Sequence, residues 1–530
     1  MTTPIRLSFL IQATKQIPVW EFEMLHNLQH SGNVSITAFI INEEIKTTST
    51  NWGLRLLKRF ENWWFRSMPD AFKKIEVSAE FGNIPFIEIK EKEKIAELHL
   101  DIIYRSCLVT ASPSLSTYSK FGEWFFVWGT GKYAGAFPIA FREVMDDCPE
   151  IGSSLLINKA GSATPFTIYD GTTTTVPYSV KNSLNSISWK SSSFLPYRVT
   201  ELLKFGPDLF FTKYKANDGK DSLINTDNSK PIASLQVLFL YLRNISRYLI
   251  NKLSRPFVKN RFTLLFANQK FNPTGIDLKT FISISVPPGA FWADPFIIEK
   301  DQTLYIFFEE FLYSKNKAHI SLVSLSKEGN YSAPTIILDK PYHLSYPYIF
   351  ELNGDFYMIP DTCANKTVQL YRCSHFPHKW EFIENLMEDT VLIDSTLLFY
   401  QEKWWLFGTR QNHPYTSTND QLFLYYSETL FSPNWTPHPQ NPVATIISNC
   451  RPAGSIFKHN GKLYRPAQNN SSKQYGYGIK INEIEILSET IYKEREVLEI
   501  SPDKDNKLKA IHTINFAGNW IVIDGIPTKQ

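Results

Sequence analysis

The sequence predicts a multidomain protein in which an α/β domain is followed by an all-β propeller of five blades. Three observations carry this reading. Strand and helix patterns alternate up to about residue 105, helical periodicity gives out after Arg261, and from there a unit of strand, turn and aromatic-rich strand recurs five times. At 530 residues the chain also exceeds what one hydrophobic core supports. The expected boundaries are 1–232 for the α/β domain, 233–260 for a linker helix and 261–530 for the propeller.

In the first domain RLSFLIQ (6–12) reads as a buried strand, Val19–His30 as a helix, VSITAFIIN (34–42) as a second strand and LDIIYRS (100–106) as a later one. Such alternation predicts a parallel sheet covered by helices. Asn182–Ser193 and Lys213–Pro231 are rich in Ser, Asn, Asp and Lys, which predicts surface loops. Leu235–Leu253 is apolar but broken by Arg243, Asn244 and Arg247. It reads either as a packed inter-domain helix or as a basic helix lying on a membrane surface.

The apolar run at the N-terminus is too short for a signal peptide, and no segment offers the ~20 apolar residues of a membrane span. The net charge of +3 is spread over 55 basic and 52 acidic residues without polybasic blocks, which argues against nucleic acid as a partner. Cys107, Cys148, Cys363, Cys373 and Cys450 are scattered and form no CxxC pair, so neither a disulfide framework nor a metal site is expected. That usage fits a reducing, cytoplasmic compartment.

The five repeats are FWADPFIIEKDQTLYIFFEEF (291–311), SYPYIFELNGDFYMIPDT (345–362), IDSTLLFYQEKWWLFGTR (393–410), CRPAGSIFKHNGKLYRPAQ (450–468) and IHTINFAGNWIVIDG (511–525). A spacing of roughly 50 residues is what propeller blades show. The first three align without a gap, since Asp294, Tyr346 and Asp394 each stand ten positions before Leu304, Phe356 and Trp404. The innermost strand of a blade lines the central channel, so these positions should converge on one mouth. Asp294 and Asp394 then form a carboxylate pair, which glycoside chemistry needs because one group stays ionised while another tunes a proton. Capping of turns is the structural alternative for both. Of Trp404 and Trp405, one should enter a blade interface and the other point outward.

Here the sequence resembles the family 43 glycosidases, five-bladed propellers with an Ala-Asp-Pro general base and an Ile-Asp modulator. The resemblance implies the base role for Asp294 of WADPF and the modulator role for Asp394 of IDSTLLF. It also implies a general acid in a Glu-Gly-Pro turn, where this chain has Arg451, Pro452, Ala453 and Gly454. Glu309 or Glu310 of FFEEF, or Asp361 of MIPDT, would have to supply the acid, and Glu310 takes that assignment. Most of 262–525 is more similar to another family, the propeller domain at the N-terminus of plant glucosamine inositolphosphorylceramide transferases, also found in bacterial surface-polysaccharide proteins. That similarity implies glycan assembly.

Arg451, Arg465 and Gln468 lie in its fourth stretch. Two guanidiniums beside a carboxylate-lined mouth could grip a phosphate or an acidic sugar, or could simply pair with Asp294, Asp361 or Asp394. With Glu309, Tyr346, Asp361, Arg410 and His512 they complete the expected substrate-binding set, although His512 reads equally as an ordinary turn histidine.

The stretch 121–157 resembles the catalytic segment of the formyltransferase superfamily, which has a Rossmann-type α/β fold. Lys132, Tyr133 and Gly135 match its turn, Pro138 and Ile139 the residues after that turn, and Gly152 the next strand. Catalysis there needs an Asn, a His and an Asp. This chain offers Phe125, Val127 and the segment KAGSATPF (159–166) instead, so the domain is expected to be a formyltransferase-like frame without formyl transfer.

The function expected is a sugar-transferring enzyme of surface-polysaccharide or glycolipid assembly, with its site in the propeller channel. The partners would be a glycan or glycolipid acceptor and a sugar nucleotide, with no cofactor beyond that activated sugar-phosphate donor. Contact with the inner face of a membrane would run through 235–253. The alternatives are a glycoside hydrolase with a relocated acid and a glycan-binding scaffold without turnover.

Overall fold

The computed structural model describes residues 4–43, 51–65, 69–109, 113–162, 164–215, 232–254, 261–326, 329–411, 413–432, 434–471, 476–502 and 507–528. The chain divides into two compact units, one of Met1–Arg255 with Asn412–Ser417 and one of Pro256–Gln411 with Thr418–Gln530.

The first unit is built on a seven-stranded sheet. Its strands are β1 (Ile5–Gln12), β2 (Val34–Asn42), β3 (Phe86–Glu88), β4 (Ile102–Arg105), β5 (Glu123–Trp128), β6 (Glu150–Asn158) and β7 (Phe166–Thr174), in the order β3-β2-β1-β4-β5-β6-β7. The strands read from sequence run parallel, β1 lying between β2 and β4. Near-continuous burial along β1 reflects cover on both faces. Beyond β5 the sheet turns antiparallel, making it mixed where a parallel one was expected. The short connection 159–165 explains β6 and β7, because a parallel return needs a crossover of a dozen or more residues.

The helices of this unit include α1 (Val19–His30), α2 (Trp52–Trp64), α3 (Phe141–Met145), α4 (Val180–Ser191), α5 (Phe194–Lys215) and α6 (Ser234–Ser254). Helix α4 corrects the expectation of a loop over Asn182–Ser193. Ser179 caps it by accepting from the Asn182 amide at 3.1 Å. Glu61 of α2 accepts from the amides of Val180 and Lys181 at 3.2 and 2.8 Å. The serines that read as loop-formers bond back to the preceding turn, Ser183 to Ser179, Ser188 to Leu184 and Ser191 to Ile187. Ile187 and Trp189 are buried. The second segment read as a loop, Lys213–Pro231, lies largely outside the described residues, apart from Lys213–Lys215 at the end of α5.

The second unit is a five-bladed propeller. Four blades are four-stranded antiparallel sheets, beginning with Ala290–Lys300, Ser345–Leu352, Leu392–Tyr400 and Phe457–His459. The fifth is assembled from both ends of the propeller sequence, Thr263–Asn268 pairing antiparallel with Trp520–Pro527, whose other side carries Ile514–Ala517. This closes the ring with a hydrogen-bonded ladder. Apolar layers seal the junctions, for example Trp292, Ile306 and Val522 between blades one and five, and Phe307 with Met358 between one and two. Trp405 is buried in the layer between blades three and four while Trp404 stays partly exposed, the expected split.

Candidate functional site

The innermost strands of the first three blades share one irregularity. Pairing with the second strand jumps from Ala293–Glu309 to Phe296–Phe307, from Ser345–Asp361 to Tyr348–Ile359, and from Ile393–Thr409 to Thr396–Phe407. Each jump is a β-bulge, and in each the bulged residue takes a left-handed backbone, with φ of 50° at Asp294, 43° at Tyr346 and 55° at Asp394. Non-glycine residues adopt this conformation only when their surroundings enforce it.

Carboxylates do the enforcing. The Asp294 amide donates to Asp524 at 2.9 Å, the Tyr346 amide to Asp294 at 3.3 Å and the Asp394 amide to Asp361 at 3.1 Å. Asp361 ends the second strand of blade two and Asp524 lies within the second strand of blade five, and each clamps the bulge of the following blade round the ring. The bulges therefore turn three side chains inward at once.

Asp294 and Asp394, remote in sequence, meet in this ring. Asp294 is 3 % exposed and Asp394 fully buried. Asp294 accepts from the Thr513 hydroxyl at 2.7 Å and faces His512 Nε2 at 3.3 Å. His512 Nδ1 lies 2.8 Å from Asp524, so the imidazole bridges two carboxylates. Asp394 takes a forked contact from Nε and Nη2 of Arg451, whose Nη1 reaches Asn419 at 2.7 Å, and accepts from Gln468 at 3.3 Å. Tyr346 joins the two halves, its hydroxyl bonding Thr396 at 2.9 Å and accepting from the Gly454 amide at 2.9 Å.

Burial sets the protonation of these groups. It pushes Asp394 up to about 7, against the opposing pull of Arg451 and with repulsion from Asp294 and Asp361 adding to the rise. The same desolvation raises Asp294, partly offset by His512. Burial alone would lower His512, but Asp524 and Asp294 outweigh it and raise the imidazole to about 9. Ligand atoms of Asp294, His512 and Asp524 lie within 4.8 Å of one another, a grouping that could in principle hold a cation. With His512 protonated, its two ring nitrogens face Asp294 and Asp524 as a buried ion-paired cluster.

Toward solvent the site ends in Glu309 and His343. Glu309 Oε1 lies 3.3 Å from His343 Nε2, and the two side chains are 9 % and 42 % exposed. Burial raises the Glu309 carboxyl, with Asp294 adding repulsion and His343 opposing it. The arrangement thus sets Glu309, whose carboxyl burial raises, toward solvent, Asp394 with a value of about 7 in the buried ring, and a partly exposed guanidinium, Arg451, beside Asp394.

Of the sequence-derived candidates, Asp294, Asp394, Tyr346, Asp361, Arg451, Gln468 and His512 come together, with Glu309 at the rim. Glu310, on the opposite face of its strand, is bound by Trp292 at 3.1 Å, His319 at 3.1 Å and Ser321 at 2.7 Å, which hold its carboxyl below the ordinary range despite burial. Arg465 is buried against Glu494 and Asn449, and Arg410 reaches Tyr425 at 3.2 Å. Neither guanidinium has a hydrogen bond or ion pair to Asp294 or Asp394 among those described. Sequence reasoning missed Asp524, Thr513, His343 and Asn419. A signal for Asp524 exists in hindsight, since VID of blade five stands where IPD of blade two does. Where the family 43 glycosidases would carry an acid, Gly454 has φ 135°, and a Cβ there would lie 1.9 Å from the Ile514 carbonyl oxygen.

Residues 278–515 match the model of the family described as glucosamine inositolphosphorylceramide transferase 1, N-terminal. Relatives bearing that name are 36% identical over 210 residues in Oryza sativa subsp. japonica and 32% identical over 235 residues in Arabidopsis thaliana. The alignments take in 39% and 43% of this chain but only 28% and 30% of the two relatives. Among solved structures, a family 117 glycoside hydrolase of Zobellia galactanivorans is similar with a TM-score of 0.34 at 10% identity, covering 50% of this chain and 90% of its own. The catalytic domain of a Coprinopsis cinerea GH62 α-L-arabinofuranosidase is similar with a TM-score of 0.35 at 11% identity, covering 45% and 85%. The propeller of this chain is thus similar to the N-terminal domain of the glucosamine inositolphosphorylceramide transferases.

Proposed function

We propose that this chain takes part in sugar transfer during glycolipid or surface-polysaccharide assembly, with the propeller pit as the sugar site. The observation that carries the proposal is the meeting of Asp294 and Asp394 at equivalent bulges, each held against its own cation. The relatives' name, which contains inositolphosphorylceramide, supports a lipid bearing an inositol phosphate as the acceptor class. In this reading Asp294 accepts a proton from the acceptor hydroxyl, and Asp394 tunes it through the field they share. Arg451 and His343, the partly exposed cations, hold a phosphate of the donor or acceptor. Glu309, rather than Glu310, is the carboxyl placed to give a proton.

The first unit supplies an acceptor-positioning frame. Its order of strand β5, turn, short helix α3 and strand β6 is compatible with a formyltransferase-like segment. Phe125 and Val127 on β5 bring neither the amide nor the imidazole that formyl transfer requires.

The test is Asp294→Asn, which keeps an oxygen to accept from Tyr346 while removing the base. With sugar nucleotides and inositolphosphate-bearing lipids as substrates, turnover should vanish while circular dichroism stays unchanged. A wild-type rate would remove Asp294 from the chemistry. A second reading, glycan binding without turnover, is favoured by the near-complete burial of both aspartates. It predicts saturable oligosaccharide binding with no product from any donor.

A further inference from the structure

Helix α6 is apolar on two opposite faces. Val237 and Tyr241 are buried on one. On the other, Leu235, Phe239, Leu242, Leu249 and Leu253 form a stripe at helical spacing with exposures of 71, 67, 56, 46 and 74 %. A soluble surface helix has no use for that second stripe.

Helix α2 lies alongside, running in the same direction, with Asn51 bonded to Ser234, Phe60 against Tyr241 and Trp64 against Tyr248. It too turns large apolar groups outward, Trp52 at 42 %, Leu56 at 48 % and Trp63 at 69 % exposure. Between the helices is a cavity of about 250 Å³ lined only by apolar and aromatic side chains, among them Phe60, Trp64, Tyr248 and Leu249.

Charge identifies the occupant. Arg55, Lys58 and Arg59 of α2 and Lys252 of α6 are exposed. The one carboxylate of the two helices, Glu61, is buried at the N-terminus of α4. Arg243 and Arg247, the cations that interrupt α6, are turned to the Met145 carbonyl and to Asp146 and Asp147. Tryptophans and leucines flanked by exposed cations match the headgroup boundary of an anionic bilayer, where indole rings and basic side chains both find partners. A protein partner offers no reason for the lack of exposed acidic residues on these two helices.

We propose that the α2 and α6 face is a docking surface for an anionic phospholipid bilayer, with the aromatic cavity receiving part of a lipid chain. The proposal does not depend on sugar transfer by the propeller. It goes beyond a single helix, because much of the apolar surface and most of the exposed cations belong to α2.

Flotation of the full chain with vesicles of phosphatidylcholine alone, or mixed with phosphatidylglycerol, tests it. The chain should float with the mixed vesicles and lose binding as salt rises. Phe239→Glu with Leu253→Glu and Trp63→Glu should lower binding by at least about tenfold, and Arg55→Glu with Lys58→Glu and Arg59→Glu by a similar factor. All six side chains are exposed or nearly so, and unchanged thermal melting certifies folded variants. Wild-type chain that stays unbound, or triple variants that float as well as wild type, would overturn the proposal. So would a self-associating chain whose dimer the same substitutions split, which would make a second copy the occupant.

Discussion

Arg451→Met removes the cation bonded to Asp394 and leaves a buried carboxylate facing Asp294 and Asp361. Breaking one side of a buried pair costs about 3–5 kcal/mol. The cost must depend on pH. In the wild type Asp394 is raised from its ordinary 3.8 to about 7, a displacement of roughly 4 kcal/mol. A carboxyl raised in the folded state binds more protons folded than unfolded between those two values, so folding weakens as pH climbs from about 4 to about 7. Without Arg451 the folded value rises further, and the weakening continues above neutrality. At about pH 5 Asp394 is protonated in both proteins, and the variant should lose only about 1–2 kcal/mol, while at about pH 8.5 it should lose the full 3–5 kcal/mol. Urea unfolding at the two pH values, with hydrogen exchange followed on peptides spanning 392–410 and 450–469, reads the effect where it arises. In an Asp394→Asn background the same arginine substitution should cost much less, because no charge is left unpaired. An Arg451→Met penalty that is equal at both pH values, or that persists undiminished in the asparagine background, would refute this account of the pair.

His512 titrates in the opposite sense. Its imidazole is raised to about 9, so its stabilising contribution is fully present below the ordinary value of 6.5 and is lost as pH climbs through 9. The gap in melting temperature between wild type and His512→Gln should therefore close between about pH 6 and about pH 10, and a constant gap would show that the imidazole is neutral in the fold. Gly454→Ala places a methyl group 1.9 Å from the Ile514 carbonyl oxygen and disturbs the amide that donates to Tyr346. It should destabilise the propeller by more than about 3 kcal/mol, measured by denaturant unfolding. A loss below about 1 kcal/mol would mean that the segment leading into blade four can move away from Ile514.

The repeat was legible in the sequence because it is local. Each blade encodes its own strand, turn and strand, and the alignment of Asp294, Tyr346 and Asp394 over three blades coincides with the three bulges. Helix α1 was legible with its limits for the same reason, and the α4 region was misread because serine counts as a loop residue until its hydroxyl finds the preceding turn. What decides the site is not local. Adjacent Glu309 and Glu310 differ in that strand pleating sends one toward His343 and the other onto Trp292, His319 and Ser321. Arg451 and Arg465 stand in one repeat, yet ring closure gives the first to Asp394 and leaves the second to Glu494. The sequence alone determined the blade pattern and the inward positions, because strand period and turn chemistry act over a few residues. Only the tertiary structure decided which charges meet, since Asp294 and Asp524 become neighbours when the two ends of the propeller pair in one sheet.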